Sequence, residues 1–495
     1  MSISTADTQN YRLAMLVRLL AIGISSLGML LLLPLVLDRL GEYNFGIWGM
    51  VSSITSYLLL LDFGIALACT RYLSIKAEDS ANRTLIMSNA LFLSLIIAGL
   101  LLLMAIALAL ASHWEILAVK QQLITQVILV VLLEVAISIP LRMYLSLLRT
   151  EVRYVEIGLF EVIRVALRIG GIALALYLGA DLLDIVIIAA AVNVLFFILP
   201  LMSCYRRHHS SFFSRSAINR NTLKELLHFS KFTAVSQSAE FLKFRTDSVL
   251  VAALIGITAA AHYTIIVFIV MMITQVLMRF MSYWDTIIIR QVGENDLQAA
   301  EQTVFKSLTI GLTLSLLACL NLYFFGAYFI ELWVGVQYVF LRDLLILLAT
   351  VLFSITFQLA TTPYFNALKR EKTNASIDFA EVVLKFLLLW PMTTLFGFTG
   401  FIVNTVLAAS ICGIGLRVTA LAKYSGKPIA HLFARVLRSV LPTILLVLLM
   451  ICCHYWLLST SFMPTFLTLG TLGMAQCALL TVFYLQSSKR RLSIH

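Results

Sequence analysis

The chain has 495 residues, 61% of them hydrophobic and only 12% charged, against roughly 45–50% and 25% in ordinary soluble domains. No soluble fold hides that much apolar surface, which excludes a soluble enzyme carrying a membrane anchor. The formal charge of +11 is distributed loop by loop rather than gathered into a nucleic-acid-binding patch. About 20 apolar residues cross the hydrocarbon core as a helix. Runs of that length fall at 13–37, 45–69, 86–111, 122–145, 157–179, 183–203 and 231–254 in the first part of the chain. They continue at 260–284, 305–329, 341–366, 377–397, 399–420, 437–458 and 464–486. The fold class is therefore all-α and polytopic, with about 14 transmembrane helices.

Lysines and arginines test the count, because short cytoplasmic loops retain them. With the N-terminus inside, the cytoplasmic positions include Arg71, Lys76 and Arg83, then Arg142, Arg149 and Arg153, then the run from Arg206 to Lys231. Further along they include Arg279, Arg290 and Lys306, then Lys369, Arg370 and Lys372, then Arg417, Lys423, Lys427, Arg435 and Arg438, and finally Lys489, Arg490 and Arg491. The opposite side receives only Arg39, Lys120 and Arg342. Both termini are expected in the cytoplasm. The first apolar run has full-span length and keeps Arg18 at its start, so it reads as a helix rather than a cleavable signal.

Enzymes that work on sugars outside the membrane hold their acids and bases in a sizeable extramembrane loop or domain, and this chain has none. Its longest connection, Arg206 to Lys231, is basic and lacks a glycine-rich phosphate loop or a nucleophile motif. His208 and His209 have no partner at ligand spacing, so neither metal nor cofactor is expected. The seven cysteines, Cys69, Cys204, Cys319, Cys412, Cys452, Cys453 and Cys477, lie in or beside apolar spans and read as packing residues.

Sliding the chain by 220 residues sets Tyr144, Leu148, Glu151, Ile157, Glu161, Val162 and Leu167 over Tyr364, Leu368, Glu371, Ile377, Glu381, Val382 and Leu387. The overlay joins span 5 to span 11, and six crossings preserve orientation, as in the parallel repeats of transporters. The expected plan is two six-helix lobes in a pseudo-twofold parallel repeat, 1–215 and 216–430, with an appended helix pair over 431–495. A cleft between lobes is the natural place for cargo.

Five bases remain at membrane depth: Arg164 and Arg168 on span 5, Lys243 and Arg245 on span 7, and Lys385 on span 11. A charge at the bilayer centre costs at least about 2.5–3.5 kcal/mol, so each position needs a reason. Arg168, Lys243 and Lys385 fall near the middle of their spans. Glu161, Arg164 and Arg168, then Glu240, Lys243 and Asp247, then Asp378, Glu381 and Lys385, each run at i, i+3 and i+7 and so share one helix face. The bland reading is acid–base pairs joining helices; recurrence on three helices favours a water-filled cationic cavity. Asp62, Glu134 and Asp285 are weaker signals, and Asp62 and Asp285, near the ends of spans 2 and 8, suit caps or snorkelling. Kinks are expected at Pro34, Pro140, Pro363, Pro391 and Pro442.

Leu40-Gly41, Phe45-Gly46-Ile47-Trp48, Leu61-Asp62-Phe63-Gly64-Ile65 and Arg71-Tyr72 resemble the opening of bacterial polysaccharide flippases. Phe229-Ser230, Asp247, Gly256, Tyr263, Leu332-Trp333-Val334-Gly335 and Ala367-Leu368-Lys369-Arg370 resemble the same family's C-terminal lobe. The family is the Wzx-type O-antigen and exopolysaccharide flippases, within the superfamily of multidrug, oligosaccharidyl-lipid and polysaccharide exporters. The resemblance implies a bacterial inner-membrane protein, and a cargo of polyprenyl-diphosphate-linked oligosaccharide moved to the outer leaflet by alternating access. It also implies membrane lipids and the pathway's polymerase and chain-length proteins as partners. Arg164, Arg168, Lys243, Arg245 and Lys385 then suit an anionic cargo, while Glu161, Glu240, Asp247, Asp378 and Glu381 are candidates for a coupling proton or sodium ion. The competing readings are a multidrug antiporter of the same superfamily, a peptidoglycan-precursor flippase, and a glycosyltransferase or polymerase of the same pathway.

Overall fold

In a computed structural model the described residues are 5–60, 62, 64–76, 80–113, 122–208, 213–228, 230, 246–438, 440, 441, 444 and 445. The ordered elements begin with α1 (Thr5–Leu60), α2 (Ile65–Lys76), α3 (Ser80–His113), α4 (Gln122–Thr150), α5 (Tyr154–Tyr177), α6 (Leu182–His208) and α7 (220–228). They continue with α8 (Asp247–Leu254), α9 (Ile257–Gly293), α10 (Leu297–Val334), α11 (Arg342–Ala349), α12 (Val351–Ala367) and α13 (Glu371–Ala408). A π-helical turn (Ala409–Leu416) leads into α14 (Arg417–Ser425), and α15 covers 429–438. No strand occurs among the described residues.

Eight helical segments among them are long and apolar enough to cross a membrane. The chain is a multi-pass membrane protein. Two of the segments carry two predicted spans each, because α1 and α13 are continuous across kinks at Gly41 and Gly397. Helical dihedrals break at these glycines, where φ is +76° and +57°, and not at the prolines. The helices run on through Pro34, Pro140, Pro363 and Pro391, and Pro442 lies outside the described residues. A positive φ is cheap only for a residue without a Cβ, so Gly397 is where α13 can turn.

The described chain falls into two compact units, one of residues 1–266 with 390–401, the other of 267–389 with 402–495. In the first, α5 packs on α1 and α6, and α4 on α3 and α6. Its core includes Ile65, Cys69, Met87, Met143, Leu148 and Cys204. In the second, α10 packs on α12, and Met281, Leu308, Tyr364, Phe365 and Leu421 sit in its core. The free cysteines Cys69, Cys204 and Cys412 are buried, as expected of packing residues, and Cys319 is half-buried; the other three lie outside the described residues.

Among the described residues the helix boundaries repeat along the chain, with a register different from the one read in the sequence. α2 ends at Lys76 and α9 at Gly293; α3 starts at Ser80 and α10 at Leu297; α5 starts at Tyr154 and α13 at Glu371; α6 ends at His208 and α14 at Ser425. Each pair is 217 residues apart. The turn before α5 and the turn before α13 agree in detail. Val152 and Lys369 both have left-handed φ, 59° and 58°. The N–H groups of Val152 and Arg153 donate to the carbonyls of Arg149 and Leu148, and those of Lys369 and Arg370 to Asn366 and Phe365. The overlay at 220 is therefore three residues out. Three residues is close to one helical turn of about 3.6, so a misregistered overlay still matches apolar face to apolar face.

The contact between α5 and α6 recurs with different chemistry. In the first unit Arg207 donates to Glu156 and, at 2.6 Å, to Ser203. At the positions 217 further on, Thr373 and Tyr424 share a hydroxyl hydrogen bond of 2.6 Å.

Candidate functional site

The charged face of α5 carries Glu161, Arg164 and Arg168, as the i, i+3, i+7 spacing predicts. Arg164 is ion-paired to Glu161 across one turn. Its guanidinium also donates to the amide oxygen of Asn193 on α6 at 3.3 Å and lies 5.1 Å from the ring of Phe196. Asn193 in turn donates to Glu134 on α4 at 2.8 Å, and Glu134 is within electrostatic reach of both Arg164 and Arg168. Three helices are thus joined by one chain of polar contacts, Glu161 to Arg164 to Asn193 to Glu134.

This changes the standing of Glu134. Read alone it is a minor signal, but it is buried and completes the α5 cluster. Asn193 was not singled out either. Its signal is an isolated amide within the apolar run Ala189 to Phe197, where an unsatisfied polar group would be costly.

In the second unit the face of α13 carries Asp378, Glu381 and Lys385, the last two only 5% exposed. At the 217-residue register these superpose on Glu161, Arg164 and Arg168. The two sets recognised separately by spacing are one repeated set, and Arg168 and Lys385 share a repeat position. Asn404 donates to the carbonyl of Lys385 at 2.9 Å.

Arg417 corrects the loop assignment. Counted among the cytoplasmic bases, it begins α14 with no solvent exposure at all. It donates to Asp378 at 2.8 Å, to Asn374 at 3.1 Å and to the hydroxyls of Thr361 and Thr362 at 3.3 Å each. Glu381 also lies within electrostatic reach of it. A guanidinium presents donors in a planar fork that several oxygens can accept from at once.

Asp247 opens α8 and is buried, accepting the hydroxyl hydrogen of Tyr263 at 2.5 Å. Lys243, Arg245 and Glu240 lie outside the described residues. Asp62 accepts from the Gly64 N–H at 2.7 Å just before α2, and Arg142 pairs with it at 3.5 Å. His208 meets a carboxylate: its Nε2 is 2.6 Å from Glu151. No group of three or more His, Cys, Asp or Glu suited to a metal ion occurs among the described residues.

The arrangement is one of paired charges on helix faces, half-buried on α5 and more deeply buried on α13. Such groups mark ion or substrate pathways far more often than plain lipid-facing surface.

Residues 14–283 match the pattern of the family described as polysaccharide biosynthesis protein. The fold resembles lipid II flippase MurJ in its inward closed conformation, with a TM-score of 0.73 over 95% of this chain and 99% of that one, at 13% identity. It also resembles an inward-facing multidrug resistance MATE family transporter of the MOP superfamily, with a TM-score of 0.63 over 82% of this chain and 99% of that one, at 17% identity. Identities this low establish a common fold and no more. A comparison with curated protein sequences finds no match.

Proposed function

Since the chain belongs to the polysaccharide biosynthesis protein family, we propose that it is a transporter rather than an enzyme, a flippase for polyprenyl-diphosphate-linked oligosaccharide repeat units. The cargo passes from the cytoplasmic to the outer leaflet of a bacterial inner membrane, for O-antigen or exopolysaccharide assembly. Family membership is the observation that carries this reading. The likeness in fold to a lipid II flippase supports it, because the same helical frame there bears a lipid-linked cargo by name.

The cargo is anionic at its diphosphate. Arg164, Arg168, Lys243, Arg245 and Lys385 offset the desolvation of that charge, and Arg can bind phosphate through two parallel hydrogen bonds. The polyprenol tail stays in lipid. Movement follows alternating access, for which 1–215 and 216–430 are the proposed lobes and 431–495 a proposed appended segment. Proton or sodium coupling is assigned to Glu161, Glu240, Asp247, Asp378 and Glu381. Both termini are placed in the cytoplasm, and the pathway's polymerase and chain-length proteins are the partners that receive the cargo.

The test is complementation. Deleting the gene in its host should abolish surface polymer and leave intact lipid-linked repeat units on the cytoplasmic side, with a plasmid copy restoring both. Arg168→Ala and Lys385→Ala should each lower export at normal protein level; export at the wild-type rate in both removes the cationic site. A second reading, a multidrug exporter, is favoured by the fold likeness to the MATE transporter. Normal polymer together with altered resistance to cationic drugs would select it.

A further inference from the structure

After α6, residues 213–228 fold back against α2 and α3. The side chain of Asn89 donates to the carbonyl of Ala217 and accepts from the N–H of Asn219, both at 2.9 Å. The Ser88 hydroxyl accepts from the N–H of Ser214 at 2.9 Å, and the Tyr72 hydroxyl donates to the carbonyl of Glu225 at 3.4 Å. α7 then turns Leu226, fully buried, into the core of the first unit, with Leu223 packed against the same core. Ser88 and Asn89 are the third and fourth residues of the apolar run 86–111. Their bonds therefore fix the depth of the segment, where hydrocarbon gives way to lipid head groups rather than out in solution. Tyr205, 64% exposed in the last turn of α6, suits the same boundary, where tyrosine is enriched.

The outward side of this segment is basic and apolar at once. Arg220, Lys224 and Leu227 run at i, i+4 and i+7, a stripe of α7 distinct from that of Leu226. Both bases are exposed and Leu227 is 48% exposed; Arg215 is exposed too, and Phe213 is 41% exposed. Among the described residues Arg206, Arg215, Arg220 and Lys224 form no ion pair, whereas Arg207 is paired with Glu151 and Glu156. Residues 206–228 hold five lysines and arginines against one acid, Glu225. We propose that this segment is a docking face for anionic phospholipid head groups. Arg215, Arg220 and Lys224 meet phosphate oxygens, and Phe213 and Leu227 enter the uppermost acyl layer. Topology alone retains bases near span ends, but it does not call for a short helix, buttressed on one side, that carries them with apolar side chains between. That mixture on one stripe is what a helix lying in the membrane interface presents. The depth set by Ser88 and Asn89 favours lipid over an acidic protein, which would need the face out in solution.

The full chain is placed in nanodiscs of phosphatidylcholine alone, or of phosphatidylcholine and phosphatidylglycerol in equal parts, and backbone hydrogen exchange is followed over 213–228. Both faces of such a disc carry the same lipid, so the measurement depends neither on which side is cytoplasmic nor on export. Attraction to an anionic surface is worth about fivefold in equilibrium for each base held near it. Exchange over 220–228 should therefore slow at least about fivefold in the anionic discs. Raising salt from about 0.1 to 1 M, which shortens the Debye length from about 10 to 3 Å, should erase most of that difference. R215Q/R220Q/K224Q should abolish the response, and R215K/R220K, which keeps the charge, should retain it. If the triple variant does not fold, the salt series on the unaltered protein decides the matter. α11, whose Arg342 is already engaged by Asp343 and the carbonyl of Tyr323, should exchange alike in both lipids. Equal exchange over 220–228 in the two lipids overturns the docking face, as does a slowing shared by α11 or one that survives high salt. Protection that appears only when a polyglutamate peptide is added, and not with phosphatidylglycerol, also overturns it and assigns the face to an acidic protein.

Discussion

Tyr263→Phe removes one oxygen atom from a buried acid–phenol pair and little else. Tyr263 is 3% exposed and Asp247 5% exposed, and the hydroxyl donates to the carboxylate at 2.5 Å. The ring stays packed edge-on against Phe401, with centroids 5.5 Å apart, and phenylalanine keeps that contact. The change therefore isolates the hydrogen bond. A hydrogen bond to a charged group contributes about 1.5–3 kcal/mol net. Asp247 is also the first residue of α8, where free backbone N–H groups and the helix dipole favour a negative charge and would cushion the loss. The expected cost is thus at the lower end, about 1.5 kcal/mol, or roughly a tenfold shift in the folding equilibrium. The assay is denaturant unfolding in detergent micelles, run as a double-mutant cycle with Asp247→Ala. A coupling energy above about 1 kcal/mol is expected, since residues in direct contact are non-additive by 0.5–3 kcal/mol. Tyr263→Phe at below about 0.5 kcal/mol, or strict additivity with Asp247→Ala, would refute the reasoning.

Other perturbations test the remaining contacts. Gly413→Ala should cost about 1–3 kcal/mol by overpacking, because its Cβ would stand 1.9 Å from the Ser354 hydroxyl and 3.4 Å from Glu381; Ser354→Ala in the same chain should recover part of it, as thermal unfolding would show. Asn193→Leu leaves Glu134 without its amide donor and should cost about 1–3 kcal/mol, with Asn193→Asp worse because it adds a second carboxylate; equal stability of Asn193→Leu and wild type would remove the bridge. Glu301→Gln should loosen the segment that carries Lys427 and Arg435, which reach the buried carboxylate at 2.5 and 3.4 Å. Both bases are partly exposed, so about 1 kcal/mol is expected, read as faster hydrogen exchange over 427–438. Cysteines introduced over 213–228 should be labelled only from the cytoplasmic side, and labelling from outside would invert the topology.

Most helix positions could be read from apolar run length, because the hydrocarbon thickness fixes how long a spanning helix must be. The charged faces of α5 and α13 were legible for a related reason: i, i+3 and i+7 lie on one stripe whatever surrounds the helix. What escaped was set by other helices. Glu134 gains its meaning from Asn193 and Arg168, neither of which is near it in sequence. Arg417 stands where an apolar run meets a basic stretch, so run length and the inside excess of bases both point to a loop boundary. Only the oxygens of Thr361, Thr362, Asn374 and Asp378 reveal it as interior. The repeat register slipped by three for want of an anchor. The turns at Val152 and Lys369 provide one, because backbone hydrogen bonds at a helix start cannot slide along a face as side-chain similarity can.

The paired contact between α5 and α6, and between α13 and α14, has a consequence for how the protein responds to its medium. Glu156 and Arg207 are joined by ions that are about one-quarter exposed, 25% and 28%. Electrolyte weakens such a junction, with a Debye length falling from about 10 Å at 0.1 M to 3 Å at 1 M. Thr373 and Tyr424 hold the equivalent junction with two neutral hydroxyls, on which dissolved salt has little grip. Two halves built on one plan therefore differ at this point in ionic tolerance: raising salt slackens the Glu156–Arg207 junction while leaving the Thr373–Tyr424 junction taut.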